Sequence, residues 1–523
     1  MPWTRNTCYP TGATAGLHRR RPHHCLATRT HNELDVMCSQ LRRMHRFPLE
    51  WEAAVGPAIV QAGGGSGGVA DISDPLLLLD PAAVKRTGTI WTAVAHIITG
   101  VIGSGVLALG WSMAQLGWAA GPFSMLFFAA ITFVSTFLIC DCYWAQHPHH
   151  GPIRNTSFTQ AVHSFLGERS AWFCALLIQI SFYGTGIAYV ITSAKCLRAI
   201  ERSNCYHKHG HDAPCEFGLT FYMLLFGVVQ IFMSQIPDFH SMDWLSVLSA
   251  AMSFAYSFIC LGLGAAKVIG NGVIEGSISG ISAPTKIQKA LLVAQALGDI
   301  LFAYPYSMIV LHIQDTLRSP PPEGVTMKRA AVISMCITTF FYLSCGGFGY
   351  AAFGDQTPGN LLTDFGFYEP YWLVDFANAC VVVHLVGGYQ IYTQPVFAAM
   401  DKWSADRFPG STFVNKQYIL KLPLLPEWNL NLQRLCFRTA YVSSTTAIAM
   451  VLPYFNQVLG VSGAITFWPL AIYFPVEMWL EQNKTGPWTG KWIVLRIFQT
   501  VCFCITMFAL LGSIQGLIAA RFS

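Results

Sequence analysis

The sequence predicts an all-α polytopic membrane protein of about eleven transmembrane helices, arranged as a 5+5 inverted repeat plus one extra helix. Three observations predict it. The 523 residues are 53% hydrophobic and only 11% charged, whereas a soluble domain carries roughly a quarter charged residues. Apolar segments of spanning length alternate with short polar joints. Two of those segments, five apart in order, are interrupted by residues that helices avoid.

Residues 1–73 come first. They are rich in Arg and His, carry no acidic residue before Glu33, and include the run GGGSGG from Gly63 to Gly68. This composition reads as a disordered cytoplasmic tail, with an organelle transit peptide as the alternative. The transmembrane domain is expected over residues 74–523. The apolar segments fall at 90–114, 118–142, 171–195, 217–236, 243–267, 288–313, 330–353, 372–399, 435–453, 456–480 and 493–518. Each is long enough to cross the bilayer as a helix, which takes about 20 residues.

Most Lys and Arg lie in the tail and in the even-numbered joints, including 401–433 and SPPPEGVTMKR, while FGDQTPGNLLTDFGFYEP holds none. Positive charge stays on the cytoplasmic side, so the N-terminus is expected inside and the C-terminus outside. Lys195, Arg198, Arg202 and Lys208 run against this rule, in a joint assigned outside. That joint also holds Cys205 and Cys215, which become a disulfide candidate once it faces an oxidising compartment. The sequons at Asn155 and Asn483 fall inside and are expected to stay unglycosylated. Glu477 and Lys195 are placed near helix ends, where they would snorkel to the interface. A net charge of +5 with no basic stripe argues against a nucleic-acid partner. Membrane lipid is the expected surrounding. No cofactor is expected, and no zinc-ligand spacing joins the cysteines to histidines.

The first interruption lies in TGVIGSGVLALGW, Thr99 to Trp111, with Gly100, Gly103, Gly105 and Gly110 inside one span. Glycine weakens a helix interior by about 1 kcal/mol relative to alanine. The second lies in ALGDILFAYPYSM, where Pro305 lacks an N–H and clashes with the preceding turn. Five spans is an odd number, so the two broken helices run antiparallel. Lipid cannot satisfy a loosened backbone, so such breaks belong where protein or a cavity surrounds them. Interrupted helices at matched positions form the substrate site of inverted-repeat transporters. Free N–H groups begin one half-helix and free C=O groups end the other, which suits a zwitterion. GSGVLA also fits a dinucleotide fingerprint, but neither the strand before it nor the acid after it is present. Close helix packing through small residues is the remaining alternative for the glycines.

Three ionisable groups lie at depth: His96, two turns before Gly103; Asp299, one turn before the second break; and His384 in CVVVHLVGGYQ. Buried ionisable groups in membrane spans mark proton or substrate paths, and histidine titrates near neutral pH. No phosphate loop, nucleophile elbow or H-E-x-x-H accompanies them, so an enzyme is not expected.

Long motifs then become familiar: RTGTIWTAVAHIITGVIGSGVLALGWSMAQLGW, ERSNCYHKHGHDAPC, SQIPDF, QALGDILFAYPYSMIVLHIQDTLRSPPPE, GYAAFGDQTPGNLL, GFYEPYWLVD and FWPLAIYFPVEMW. In order over residues 74–523, they resemble the plant amino acid permeases of the amino acid/auxin permease family. The resemblance implies a leucine-transporter-like fold and a plasma-membrane symporter that imports amino acids with protons as the coupling ion. It places the substrate motifs on Ile102, Gly103, Ser104 and Gly105 and on Phe302, Ala303 and Tyr304. The same sixth-helix motif takes in Asp299, the family's histidines in the first and eighth helices match His96 and His384, and its outward-loop cysteines match Cys205 and Cys215; His96, Asp299 and His384 are the residues expected to couple proton occupancy to the conformational switch. An auxin or proline/GABA carrier of the same fold, or a transport-dead amino acid sensor, is the alternative. The chain departs from the family at Pro305 and His312, in the joint CDCYWAQHPHHGPIRNTSF, and over residues 1–70.

Overall fold

A computed structural model describes residues 86–147, 151–210, 212–236, 243–364, 369–420 and 428–522. The tail assigned to residues 1–73 lies outside the described residues. Every predicted span carries helix. In chain order the helices are α1 (Ile90–Val101), α2 (Leu109–Asp141), α3 (Phe158–Leu166), α4 (Glu168–His209), α5 (Leu219–Ser234), α6 (Asp243–Asn271), α7 (Lys286–Ala303), α8 (Ser307–Thr316) and α9 (Glu323–Phe353). They continue with α10 (Tyr371–Arg407), α11 (Thr412–Asn415), α12 (Leu432–Val451), α13 (Phe455–Phe467), α14 (Phe474–Gln482) and α15 (Gly490–Phe522). Among the described residues, eight helical stretches are long and apolar enough to cross a membrane, and α1 and α5 are shorter apolar helices.

Both expected interruptions are present. The first span divides into α1 and a 3₁₀ segment, Ser104–Ala108, that leads into α2. The sixth divides into α7 and α8, with Tyr304, Pro305 and Tyr306 between them. The turn between the first two spans is a single residue, Gly117, at φ 77° inside α2. Left-handed backbone favours glycine, and here a Cβ would also run into the backbone of Ile278 and Gly280.

Thr89 starts α1 with a capping box, its hydroxyl accepting from Thr92 N–H while Thr92 Oγ1 accepts from Thr89 N–H. Thr285 and Asn431 cap α7 and α12 in the same way on one side. Helix α7 packs against α13 and α15, α9 against α2, and α10 against both α4 and α6. The breaks therefore lie in the interior of the bundle.

One expectation about the joints is corrected. The polar stretch after residue 195 is not a loop: α4 continues to His209, because no Gly or Pro interrupts it before Gly210 at φ 84°. Lys195 thus sits within a helix, 3.5 Å from Asp364 and over the Phe455 ring. Arg496 and Gln499 hold the Glu477 carboxylate. Two polar joints form antiparallel hairpins, β1 (Trp144–His147) with β2 (Gly151–Arg154) and β3 (Gln417–Leu420) with β4 (Trp428–Asn431). Asn155, just after β2, is fully buried and donates to Cys142 O at 2.9 Å. A sequon in that setting is closed to a glycan on either side of a membrane. Cys205 and Cys215 form the disulfide expected of them.

The strand-like segment before α1 is fastened to the far end of α8. Gly88 N–H donates to Thr316 O at 2.9 Å and Arg318 N–H to Gly88 O at 3.0 Å. Arg86 reaches both the Asp315 carbonyl (2.8 Å) and its carboxylate (2.9 Å), and Tyr143 donates to the same carboxylate at 2.6 Å. Burial and the neighbouring Asp315 carboxylate push the Tyr143 phenol above its ordinary range, so it remains a donor at neutral pH.

Candidate binding site

Helix α1 ends inside the bundle, and its last carbonyls must find donors there. Tyrosines from three other helices provide them. Tyr392 on α10 donates to Gly100 O at 3.2 Å, and Tyr256 on α6 donates to Gly103 O at 3.0 Å. The Tyr342 hydroxyl on α9 lies 2.8 Å from Val101 O and 2.8 Å from Ala303 O, the carbonyl that ends α7. A phenol suits this task because its ring fills apolar volume while its hydroxyl reaches a polar atom.

The 3₁₀ segment that starts at Ser104 presents the opposite polarity. Its first N–H groups have no acceptor within the helix, and no side chain caps it. The Ser104 hydroxyl is itself buried without a hydrogen-bond partner among the described residues. The two breaks touch: a Cβ on Gly105 would lie 3.1 Å from Ala303 Cβ and 3.6 Å from the Phe302 ring. Glycine at 105 therefore sets how closely the donor end of one helix approaches the acceptor end of the other.

A cavity of about 670 Å³, part of it open to solvent, lies along these ends. Gly103, Ser104 and Gly105 line one side, Phe302, Ala303 and Pro305 another. Ser181, Thr185 and Tyr189 face in from α4, Tyr392 from α10, Ser307 and Met308 from α8, and Gly463 and Thr466 from α13. Leu470 comes from the π-helical turn Trp468–Tyr473 that follows α13. None of the lining side chains carries a charge. A ligand bearing both signs would have to meet them on the backbone ends.

Five of the seven residues expected to bind substrate line this cavity. Ile102 and Tyr304 do not: both are fully buried, and Tyr304 packs edge-to-face on Tyr342 with ring centroids 5.0 Å apart. Of the three expected proton-coupling residues, His384 comes nearest. Its Nδ1 lies 2.8 Å from Ser249 O, and its Nε2 lies 3.8 Å from where a Cβ on Gly103 would be. With Nδ1–H donating to that carbonyl, neutral Nε2 keeps its lone pair toward the break. Asp299 is fully buried one turn before the second break, where Asn456 donates to its Oδ2 at 2.9 Å. It faces α13 and not the cavity. His96 is half-buried on α1 and is also absent from the cavity wall.

Tyr189, Tyr256, Tyr342 and Tyr392 were not singled out by the sequence. A signal for two of them existed. Ser181, Thr185 and Tyr189 recur every four residues on α4, as do Ser334, Thr338 and Tyr342 on α9, so each set shares one helix face. The Tyr189 hydroxyl lies 3.3 Å from where a Cβ on Gly103 would be, across the first break.

Comparison with known proteins agrees with this architecture. Residues 86–519 match the family of transmembrane amino acid transporter proteins. Probable amino acid permease 7 of Arabidopsis thaliana is 55% identical over 450 residues, covering 85% of this chain and 96% of that protein. Amino acid permease 3 of the same plant is 50% identical over 441 residues, 84% of this chain and 92% of that protein. Among solved structures, MhsT in complex with L-phenylalanine matches with a TM-score of 0.50 at 12% identity, covering 80% of this chain and 98% of that one. That likeness shows a leucine-transporter-type fold.

Proposed function

The chain belongs to the transmembrane amino acid transporter family, among the plant amino acid permeases, and from that premise we propose that it is a proton-coupled symporter importing amino acids by alternating access. One observation carries the reading. An uncharged cavity is bounded by free N–H groups at Ser104 and Gly105 and by carbonyls at the ends of α1 and α7. A zwitterion finds both of its charges answered there by backbone dipoles. In this reading the N–H groups of Ser104 and Gly105 hold the substrate carboxylate, with the Tyr189 hydroxyl beside them. The carbonyls of Phe302 and Ala303 hold the ammonium. Pro305, Ser307, Thr185 and Thr466 surround the substrate side chain.

His384 is the proton-coupling residue closest to the site. Protonation at Nε2 would turn an acceptor facing the first break into a donor. Asp299 acts through α13, and His96 from the entry half of α1. The basic joints support a cytoplasmic N-terminus and a C-terminus on the opposite side, and the resemblance to plant amino acid permeases supports the plasma membrane as the site.

The test is uptake of labelled amino acids into transport-deficient cells at pH 5 and pH 7.5, with auxin, proline and GABA among the competitors. Faster uptake at pH 5, displaced by several amino acids, is expected. Absence of amino acid uptake would sink the transport reading, and uptake indifferent to pH would sink proton coupling.

A further inference from the structure

Tyr342 stands out because its hydroxyl has one proton and two equally near acceptors. Val101 O and Ala303 O each lie 2.8 Å from it, and they end two different broken helices. The negative ends of both helix dipoles therefore converge on one oxygen. Two converging carbonyl ends repel one another unless something positive sits between them. In transporters with broken helices, half-helix ends and unwound carbonyls are the groups that coordinate a coupling Na⁺ or H⁺. We propose that the Tyr342 hydroxyl occupies the position of such a metal cation, as a positioning residue that holds the two breaks together and makes transport independent of Na⁺.

The surroundings fit a built-in bridge. Tyr342 is fully buried, and its ring is held edge-to-face by Tyr304. One turn earlier on the same face of α9, Thr338 Oγ1 is buried without a hydrogen-bond partner among the described residues. An ion replacing the hydroxyl would thus have a further oxygen close by along the helix. Asp299 is one turn from Ala303 but is engaged with Asn456. No carboxylate is needed, because a hydroxyl brings a proton to the carbonyls without bringing a net charge.

The proposal rests on the transport reading for its consequence, so its test separates the two. Tyr342→Phe keeps the ring and removes only the hydroxyl; Tyr342→Leu is the second variant if the first is not recovered. Purified wild type and variant are heated in equal concentrations of NaCl, LiCl or choline chloride without any substrate. Na⁺ or Li⁺ is expected to raise the variant's melting temperature by about 2 °C over choline and to leave wild type unmoved. Tyr256→Phe, which removes a hydroxyl from one break only, is expected to show no cation response. In liposomes, variant uptake is expected to fall about tenfold in choline and to recover partly in Na⁺.

A variant with no cation-specific melting shift overturns the proposal whatever its uptake, as does an equal shift in wild type. Failure of every protein to transport amino acids, with the melting pattern intact, overturns the transport reading and leaves the cation replacement standing.

Discussion

Gly463→Ala is the substitution that best separates the fold from the site. Gly463 lies on α13, where alanine is the better helix former by about 1 kcal/mol, so local helix stability is expected to rise. Its missing side chain, however, faces the end of α7. A Cβ there would sit 2.5 Å from Phe302 N, 2.8 Å from Phe302 Cα and 2.9 Å from Gly298 O. All three are backbone atoms, so no side-chain rotation relieves the contact. Restoring ordinary packing displaces the end of α7 by about 1 Å, and a shift of that size in a positioned site costs on the order of 100-fold. The assay is initial uptake rate normalised to surface protein.

The neighbouring glycines set a graded comparison. Gly105→Ala meets Ala303 Cβ at 3.1 Å and Cα at 3.2 Å, which a few tenths of an ångström relieve. About tenfold loss is expected there, in keeping with the lower end of overpacking costs. Gly103→Ala meets the Tyr189 hydroxyl at 3.3 Å, the movable end of a side chain, and loses least. If Gly463→Ala takes up substrate at the wild-type rate, or if Gly103→Ala is the most damaged of the three, the assignment of the cavity to the breaks is wrong.

His384→Asn keeps a donor for Ser249 O and removes the titratable nitrogen; the expected result is uptake that no longer rises between pH 7.5 and pH 5. Arg86→Ala leaves Asp315 with Tyr143 alone, and hydrogen bonds to charged groups are worth about 1.5–3 kcal/mol each. Backbone hydrogen exchange at residues 86–92 should therefore speed up at least tenfold. Cys205→Ser opens the ten-residue loop closed by the disulfide, a loss of about 2–3 kcal/mol; reductant should destabilise wild type to the same extent and the variant not at all.

The helical architecture was legible because lipid imposes a length and an apolar composition on each span, and both breaks were legible because Gly103, Gly105 and Pro305 are residues that helices avoid. Five cavity residues are among those that the resemblance placed at these breaks. What stayed hidden was everything that approaches from other helices. Tyr342 and Tyr256 are ordinary aromatic residues in apolar runs, and only the fold reveals that their hydroxyls end on carbonyls of the first break. The sequence places Asp299 one turn from the break, and only the fold shows that α7 turns it toward Asn456. The extent of α4 was missed because its last turns are polar, and polarity ended the apolar signal before the helix ended at His209.

The two interruptions differ in permanence. Between α7 and α8, Pro305 has no N–H to give and clashes with the preceding turn, which favours keeping those halves apart. Between α1 and the 3₁₀ segment stand only Ile102 and Gly103, and neither residue forbids helix. The first break is thus the one whose residues leave room to straighten, and the sixth the one whose proline resists it.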